Sequence, residues 1–163
     1  MRYLMALSML LYSVMVSADL AKPNGPPVLT LAGAITQGNN QGAADFDLKM
    51  LQDLPQYSIV TRNPWVESRH HYRGPRVADI LELVGAESTR LIMVALNDYE
   101  VEIDFSDISQ FDPILAWSDN EHLMRVREKG PLWLMLPIDQ HPELLQMPYN
   151  DFMIWQLRKI IVK

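Results

Sequence analysis

Apolar residues along this chain fall mostly in short unbroken runs or in alternation, with few stretches of helical spacing. Val28–Ile35 (VLTLAGAI) has the length and composition of a first strand, and the Gly/Asn/Gln-rich stretch 36–44 reads as a loop. Asp45 is positioned to cap a short helix carrying Phe46, Leu48, Met50, Leu51 and Leu54, which Pro55 stops. Tyr57–Thr61 is β-rich. Pro75–Val84 places Val77, Ile80, Leu81 and Val84 at helical spacing, and Gly85 supplies a C-terminal cap.

Beyond that helix the period returns to two. Leu91–Leu96 is wholly apolar and suits a buried strand, Asn97-Asp98 makes a turn, and Tyr99–Phe105 alternates as a half-exposed strand does. A short helical turn near 106–110 and a strand at Ile114–Trp117 follow. Ser118-Asp119-Asn120 reads as a hairpin turn. Pro131–Leu136 is a further buried strand and Arg158–Val162 a last one. Many short strands with two or three short helices predict a single α+β domain. The sequence contains no internal repeat and no low-complexity stretch.

The N-terminus changes the picture of where the domain works. Arg2, an apolar run from Tyr3 to Val16, and small residues at Val16 and Ala18 are the three parts of an export signal, with cleavage expected between Ala18 and Asp19. The run is short of the roughly 20 residues a membrane span needs. An uncleaved anchor is the other reading of the segment, and with no cysteine after the apolar core a lipoprotein anchor is excluded. Residues 1–18 are thus expected to be a signal peptide, 19–27 (DLAKPNGPP) a flexible leader and 28–163 the working domain, located in the periplasm.

Charge and cysteine usage narrow the function. The formal net charge of −6 becomes more negative once Arg2 is removed, which disfavours nucleic acid and anionic lipid as partners. The chain has no cysteine, so no disulfide, thiolate nucleophile or thiolate metal ligand is possible. Hydrolase chemistry lacks a G-x-S-x-G turn or comparable motif. Glu100 and Glu102 fall on the outer face of an alternating strand and read as a solvated edge. His70 and His71 are neighbours in an extended segment and point to opposite faces, so gripping one ion together is disfavoured.

A small-molecule pocket has more support. Polar and aromatic residues gather at the ends of the apolar strands: Asn63-Pro64-Trp65-Val66-Glu67, Asn97-Asp98-Tyr99, Trp117-Ser118-Asp119 and Arg125 to Pro131. Rigid apolar elements with such residues on their connections commonly build a binding site. Trp133 and Trp155 lie in apolar segments and read as core. For Trp65, set among Asn, Pro and Glu, a packing role and a binding role stand level.

These segments, in order, are NPW, YRGPRVADILELVGA, ALNDYEVEI, ILAW, MRVREKGPLWLMLP and IWQLRKI. The series resembles the molybdopterin-binding domain of the sulfite oxidase fold, from about residue 28 to the end of the chain. The resemblance implies a mixed α+β domain, its β-sheet mixed, with a pterin pocket built from the loops after the strands. It also implies a cysteine ligand to molybdenum just ahead of the segment matching Trp65 to Gly74. Here that stretch reads Ile59-Val60-Thr61-Arg62, and a soft thiolate is not replaced by Thr or Arg without changing the metal chemistry.

The chain looks more like a cysteine-free, exported subset of this fold that binds free reduced pterins. The implied partner is the periplasmic domain of a membrane-bound diguanylate cyclase or phosphodiesterase, with no catalytic turnover in the pterin protein itself. A molybdopterin-dependent oxidoreductase with an atypical metal ligand, and a ligand-free interaction domain of the same fold, are the alternatives. The expected ligand-binding residues are Trp65, Glu67, Asn97, Asp98, Tyr99, Trp117, Arg127 and Lys129. A pterin is flat and stacks on an aromatic face, and its 2-amino and N3–H donors suit a carboxylate such as Asp98 or Glu67. Its O4/N5 edge needs donors, which Arg127, Lys129 or the backbone near Gly130 supply.

Overall fold

The computed structural model describes residues 20–146 and 148–163. The signal peptide and its cleavage point lie outside the described residues. Among the described residues, eleven short strands form two β-sheets and a two-stranded ribbon, joined by three short α-helices and four 3-10 turns.

The larger sheet contains β1 (Leu29–Gly33), β2 (Ala44–Phe46), β5 (Arg90–Ala95), β6 (Glu100–Asp104) and β11 (Leu157–Val162), in the order β2-β1-β11-β5-β6. Only the β1–β11 pair is parallel; the others are antiparallel, so the sheet is mixed. The helix α2 (Val77–Leu83) contributes Val77, Ile80 and Leu81 to the core cluster that includes this sheet's buried residues. Gly85 ends it in the left-handed conformation (φ 59°), with its N–H donating to the Glu82 carbonyl and that of Ala86 to Leu81.

The second sheet is antiparallel: β3 (Tyr57–Asn63), β4 (Val66–Gly74), β8 (Ser118–Asp119) and β9 (His122–Leu123), in that order. Between the sheets, β7 (Ile114–Ala116) and β10 (Trp133–Met135) form an antiparallel ribbon of wholly buried residues. A separate apolar cluster of Ile59, Tyr72, Ile114, Ala116, Met124, Trp133 and Met135 joins this ribbon to the second sheet. Two further helices, α1 (Leu48–Asp53) and α3 (Tyr149–Phe152), are short.

Three local expectations are corrected. The helix cap is Asp47, whose Oδ1 accepts from the Met50 N–H at 2.8 Å. Asp45 instead lies in β2, where its carboxylate accepts from the Thr30 hydroxyl (2.6 Å) and the Asn40 amide (2.7 Å); pairing with β1 holds it extended. Asp47 also accepts from the backbone N–H groups of Asn24 and Gly25, which fastens the leader at that point.

The second correction concerns the hairpin turn. Ser118 and Asp119 are paired strand residues, and the reversal is made by Asn120 and Glu121, both at positive φ (46° and 66°). Two consecutive left-handed residues match the twist of the flanking strands. Thirdly, the strand expected over Tyr57–Thr61 runs on to Asn63 and pairs with the nine-residue β4, from Tyr57↔Gly74 to Asn63↔Val66. This pairing puts Pro64 and Trp65 at the tip of a hairpin.

Candidate functional site

The tip of the β3–β4 hairpin is held by Asn63, which is 6% exposed. Its Nδ2 donates to the Tyr72 hydroxyl at 2.9 Å, and its Oδ1 accepts from the Trp65 N–H at 3.0 Å. Burial, with the negative charge of Asp119 nearby, raises the Tyr72 pKa and keeps the phenol neutral, against the opposing hydrogen bond from Asn63. An uncharged hydroxyl can therefore remain Asn63's acceptor, and the turn that presents Trp65 is fixed from within the core.

Trp65 projects from this turn 40% exposed. It packs edge-on against Trp155, with ring centroids 4.8 Å apart and planes at 76°, and lies 6.0 Å from Trp133. Trp133 is buried, and its indole N–H donates to the Met153 carbonyl at 2.9 Å. The Lys129 ammonium stands 4.8 Å from the Trp155 centroid and 5.6 Å from that of Trp133. Residue 129 is itself in the left-handed conformation (φ 70°). The next residue must be glycine, because a Cβ at Gly130 would sit 2.0 Å from the Met124 carbonyl oxygen.

These rings border a cleft of about 210 Å³. Trp65, Tyr99 and Trp155 give it aromatic surface, Asn97, Asn150 and Asp151 give it polar groups, and Met153 and Ile154 are further apolar lining. The Asn150 Nδ2 donates to the Leu145 carbonyl at 2.7 Å, while its Oδ1 is closed off from solvent and has no hydrogen-bond partner. Gln156, at φ 53°, ties two loops beside the cleft: its Nε2 donates to the Val126 carbonyl, its N–H to the Lys129 carbonyl, and its own carbonyl accepts from Leu96.

The structure brings together some of the residues expected from the sequence and separates others. Trp65, Asn97 and Tyr99 line this cleft, and Lys129 lies over one of its walls. Asp98 is not in the lining; its side chain is 81% exposed and is paired with Arg158, whose Nε also donates to the Ala95 carbonyl. Glu67 borders a different hollow of about 520 Å³ with Arg62, Asn63 and Asp139, which contains no aromatic ring. Trp117 packs against the main core with its indole N–H donating to Gln56 at 2.8 Å. Arg127 is exposed and pairs with the adjacent Glu128.

Sequence reasoning missed Trp155, Asn150 and Asp151. Trp155 sits in an apolar segment and reads as core, which its contact with Trp133 partly justifies. What brings its ring to the surface is the irregular backbone from Met153 to Gln156. Asn150 and Asp151 carry no motif.

Nucleophilic or metal chemistry finds little to work with. Among the described residues, no group of three or more His, Asp or Glu side chains could hold a metal ion. His70 is engaged by Asp119 (2.7 Å) and stacks on Tyr72, while the His71 N–H donates to Asn120. In the segment where the resemblance implies a metal-binding cysteine, Thr61 is fully buried, and its hydroxyl donates to the Arg62 carbonyl and accepts from the Asp139 N–H. That hydroxyl is already satisfied, and a neutral hydroxyl is a poor substitute for a thiolate. The residues present do not fit a molybdenum-loaded cofactor. Stacking and hydrogen bonding to a flat polar ring are what the cleft can supply.

No known family profile matches this chain, and no curated protein sequence matches it. The fold does have a counterpart among solved structures. The crystal structure of the sulfane dehydrogenase SoxCD from Paracoccus pantotrophus aligns over 82% of this chain with a TM-score of 0.58 and 14% identity. The match covers 37% of the SoxCD chain. At this identity the likeness shows a shared fold, in agreement with the α+β, sulfite-oxidase-type domain expected from the sequence.

Proposed function

We propose that this chain is a periplasmic pterin-binding sensor, which signals pterin availability to the periplasmic domain of a membrane-bound cyclic di-GMP-metabolising regulator without turning the pterin over. The observation that carries the proposal is the cleft beside Trp65 and Trp155. It offers aromatic surface, the polar residues Asn97, Asn150 and Asp151, and a cation over the Trp155 ring. Sites for drug-sized ligands usually have about 300–1,000 Å³, so this smaller cleft suits one bicyclic ring rather than a complete tailed cofactor. An aromatic face contributes about 1–3 kcal/mol to holding such a ring.

The molybdopterin oxidoreductase reading draws on the fold shared with SoxCD. A bound molybdenum centre would supply redox chemistry, but the chain has no cysteine and Thr61 has no free hydroxyl to offer. Protein isolated from its native compartment separates the readings. Acid extracts analysed by fluorescence and mass spectrometry should yield a pterin, and metal analysis should find molybdenum far below one atom per chain. Stoichiometric molybdenum would overturn the sensor reading in favour of the oxidoreductase. Absence of any pterin, together with failure to take one up, would favour the ligand-free interaction domain.

A further inference from the structure

We infer that Asn150 and Asp151 read the donor edge of the ring, the 2-amino group and N3–H, so that the cleft selects 2-amino over 2-oxo pteridines. This inference rests on the pterin reading above and assigns to α3 the acceptor role that the sequence suggested for Asp98 and Glu67.

Three observations support it. First, the Asn150 amide lines the cleft and is oriented by its Nδ2 bond to Leu145, leaving Oδ1 shielded from solvent with no donor. Buried acceptors almost always have partners, and as the side chain now lies no water-sized group reaches this one, so a turn of the Asn150 amide toward the cleft would gain it a ring N–H. Second, Asp151 follows directly and lines the same cleft, and its carboxylate has no hydrogen bond or ion pair among the described residues. Asp98, Asp119 and Asp139 are engaged, by Arg158, by His70, and by Arg62 with Arg69, while Glu67 at the hairpin borders the separate hollow.

Third, the site is polarised. Lys129 pairs with no carboxylate among the described residues and, though not itself in the lining, stands over Trp155, which is. A ligand with a carbonyl oxygen beside adjacent N–H donors satisfies both kinds of group, with O4 toward the cation and N3–H and the 2-amino group toward the acceptors. A 2-oxo ring presents a second carbonyl to Asp151 in place of a donor, which sets two acceptors against each other. The cation also disfavours quaternary ammonium compounds, which aromatic surroundings of this kind would otherwise attract.

The α3 segment is braced for this task. Tyr149 meets Phe111 at 6.4 Å and Phe152 is buried in the main core, so the backbone carrying Asn150 and Asp151 is anchored at both ends of α3. Asp151 itself is exposed, so Asp151→Asn removes its charge at little cost to folding.

The test compares 6-methyltetrahydropterin with its 2-oxo counterpart, 6-methyltetrahydrolumazine, by anaerobic calorimetric titration of wild type, Asp151→Asn and Asn150→Ala. Melting temperatures verify that each variant is folded. Wild type should favour the 2-amino ring at least tenfold, and Asp151→Asn should erase most of that preference while retaining stacking affinity. Folded Asn150→Ala should also lose preference. If wild type favours the 2-amino ring and both folded variants keep the full preference, the edge assignment is overturned while the pterin site stands. Equal affinity of wild type for the two rings likewise overturns it. If wild type binds neither ring, the proposed function falls and this inference falls with it.

Discussion

Replacing Trp65 with alanine removes the exposed aromatic surface at the cleft. An aromatic side chain brings about 150–250 Å² to a contact, so the 40% exposure of Trp65 leaves roughly 100 Å² available to a ligand. Complete coverage would be worth about 2.5 kcal/mol at 25 cal/mol per Å², and coverage of one face about half that. Both figures agree with the 1–3 kcal/mol found for base stacking on aromatic residues, so the dissociation constant should rise about tenfold to a hundredfold. The variant also loses the edge-on contact with Trp155 at 4.8 Å, which costs about 1–3 kcal/mol of stability. Titration against a tetrahydropterin must therefore be made well below the variant's melting temperature, with circular dichroism confirming the fold. Trp65→Phe should recover part of the affinity by restoring a ring. Wild-type affinity in folded Trp65→Ala would refute the reasoning, because Trp65 would then serve packing alone.

Other expectations follow from particular contacts. Asn63→Ala should cost about 1–3 kcal/mol by removing the buried donor to Tyr72 and the acceptor for the Trp65 N–H, read as a lowered denaturant midpoint. The Asp47 carboxyl is held below its ordinary pKa of 3.8, chiefly by the backbone N–H of Met50 and then that of Gly25. A carboxyl depressed in the folded state stabilises above its unfolded pKa, and that contribution is lost as pH falls through the folded value. Melting temperature should thus decline as pH drops below about 3.8, and Asp47→Asn should decline less over that range while being less stable near neutrality. Unfolding should not respond to reductant or chelator, since the chain has no thiol and the described residues offer no metal cluster; a large chelator effect would reveal a metal site. Intact-mass measurement of the exported protein should show a chain beginning within a residue or two of Asp19, and retention of Met1 would contradict the export reading.

The extent to which the sequence disclosed this architecture differs by element. The β10 strand and the Leu91–Ala95 part of β5 stand out because residues must be apolar where both faces are covered. The helix α2 is equally plain, with its apolar stripe and its glycine stop. The strand β4 was obscured because much of it is exposed; VESRHHYRG has no apolar alternation, and its pairing with β3 is a long-range fact. Misplacing the cap by two residues, at Asp45 rather than Asp47, has the same origin, since only pairing with β1 makes Asp45 a strand residue.

The cleft was half legible. Trp65, Asn97 and Tyr99 lie at loops that the pattern marks. Trp155 and α3 are brought in by backbone irregularity that no local pattern encodes, and Asp98 is drawn away by Arg158, 60 residues distant. The pairing of charges across the fold, not the presence of a carboxylate beside an aromatic residue, decides which acceptors remain available.

The central claim is that this fold retains a pterin-sized, metal-independent binding site. It is tested most directly by anaerobic calorimetric titration of the metal-free wild-type protein with a tetrahydropterin. Saturable binding of one ligand per chain, unchanged by added molybdate or chelator, is the expected result. Absence of binding by calorimetry, together with a melting temperature that does not rise in excess ligand, would contradict it.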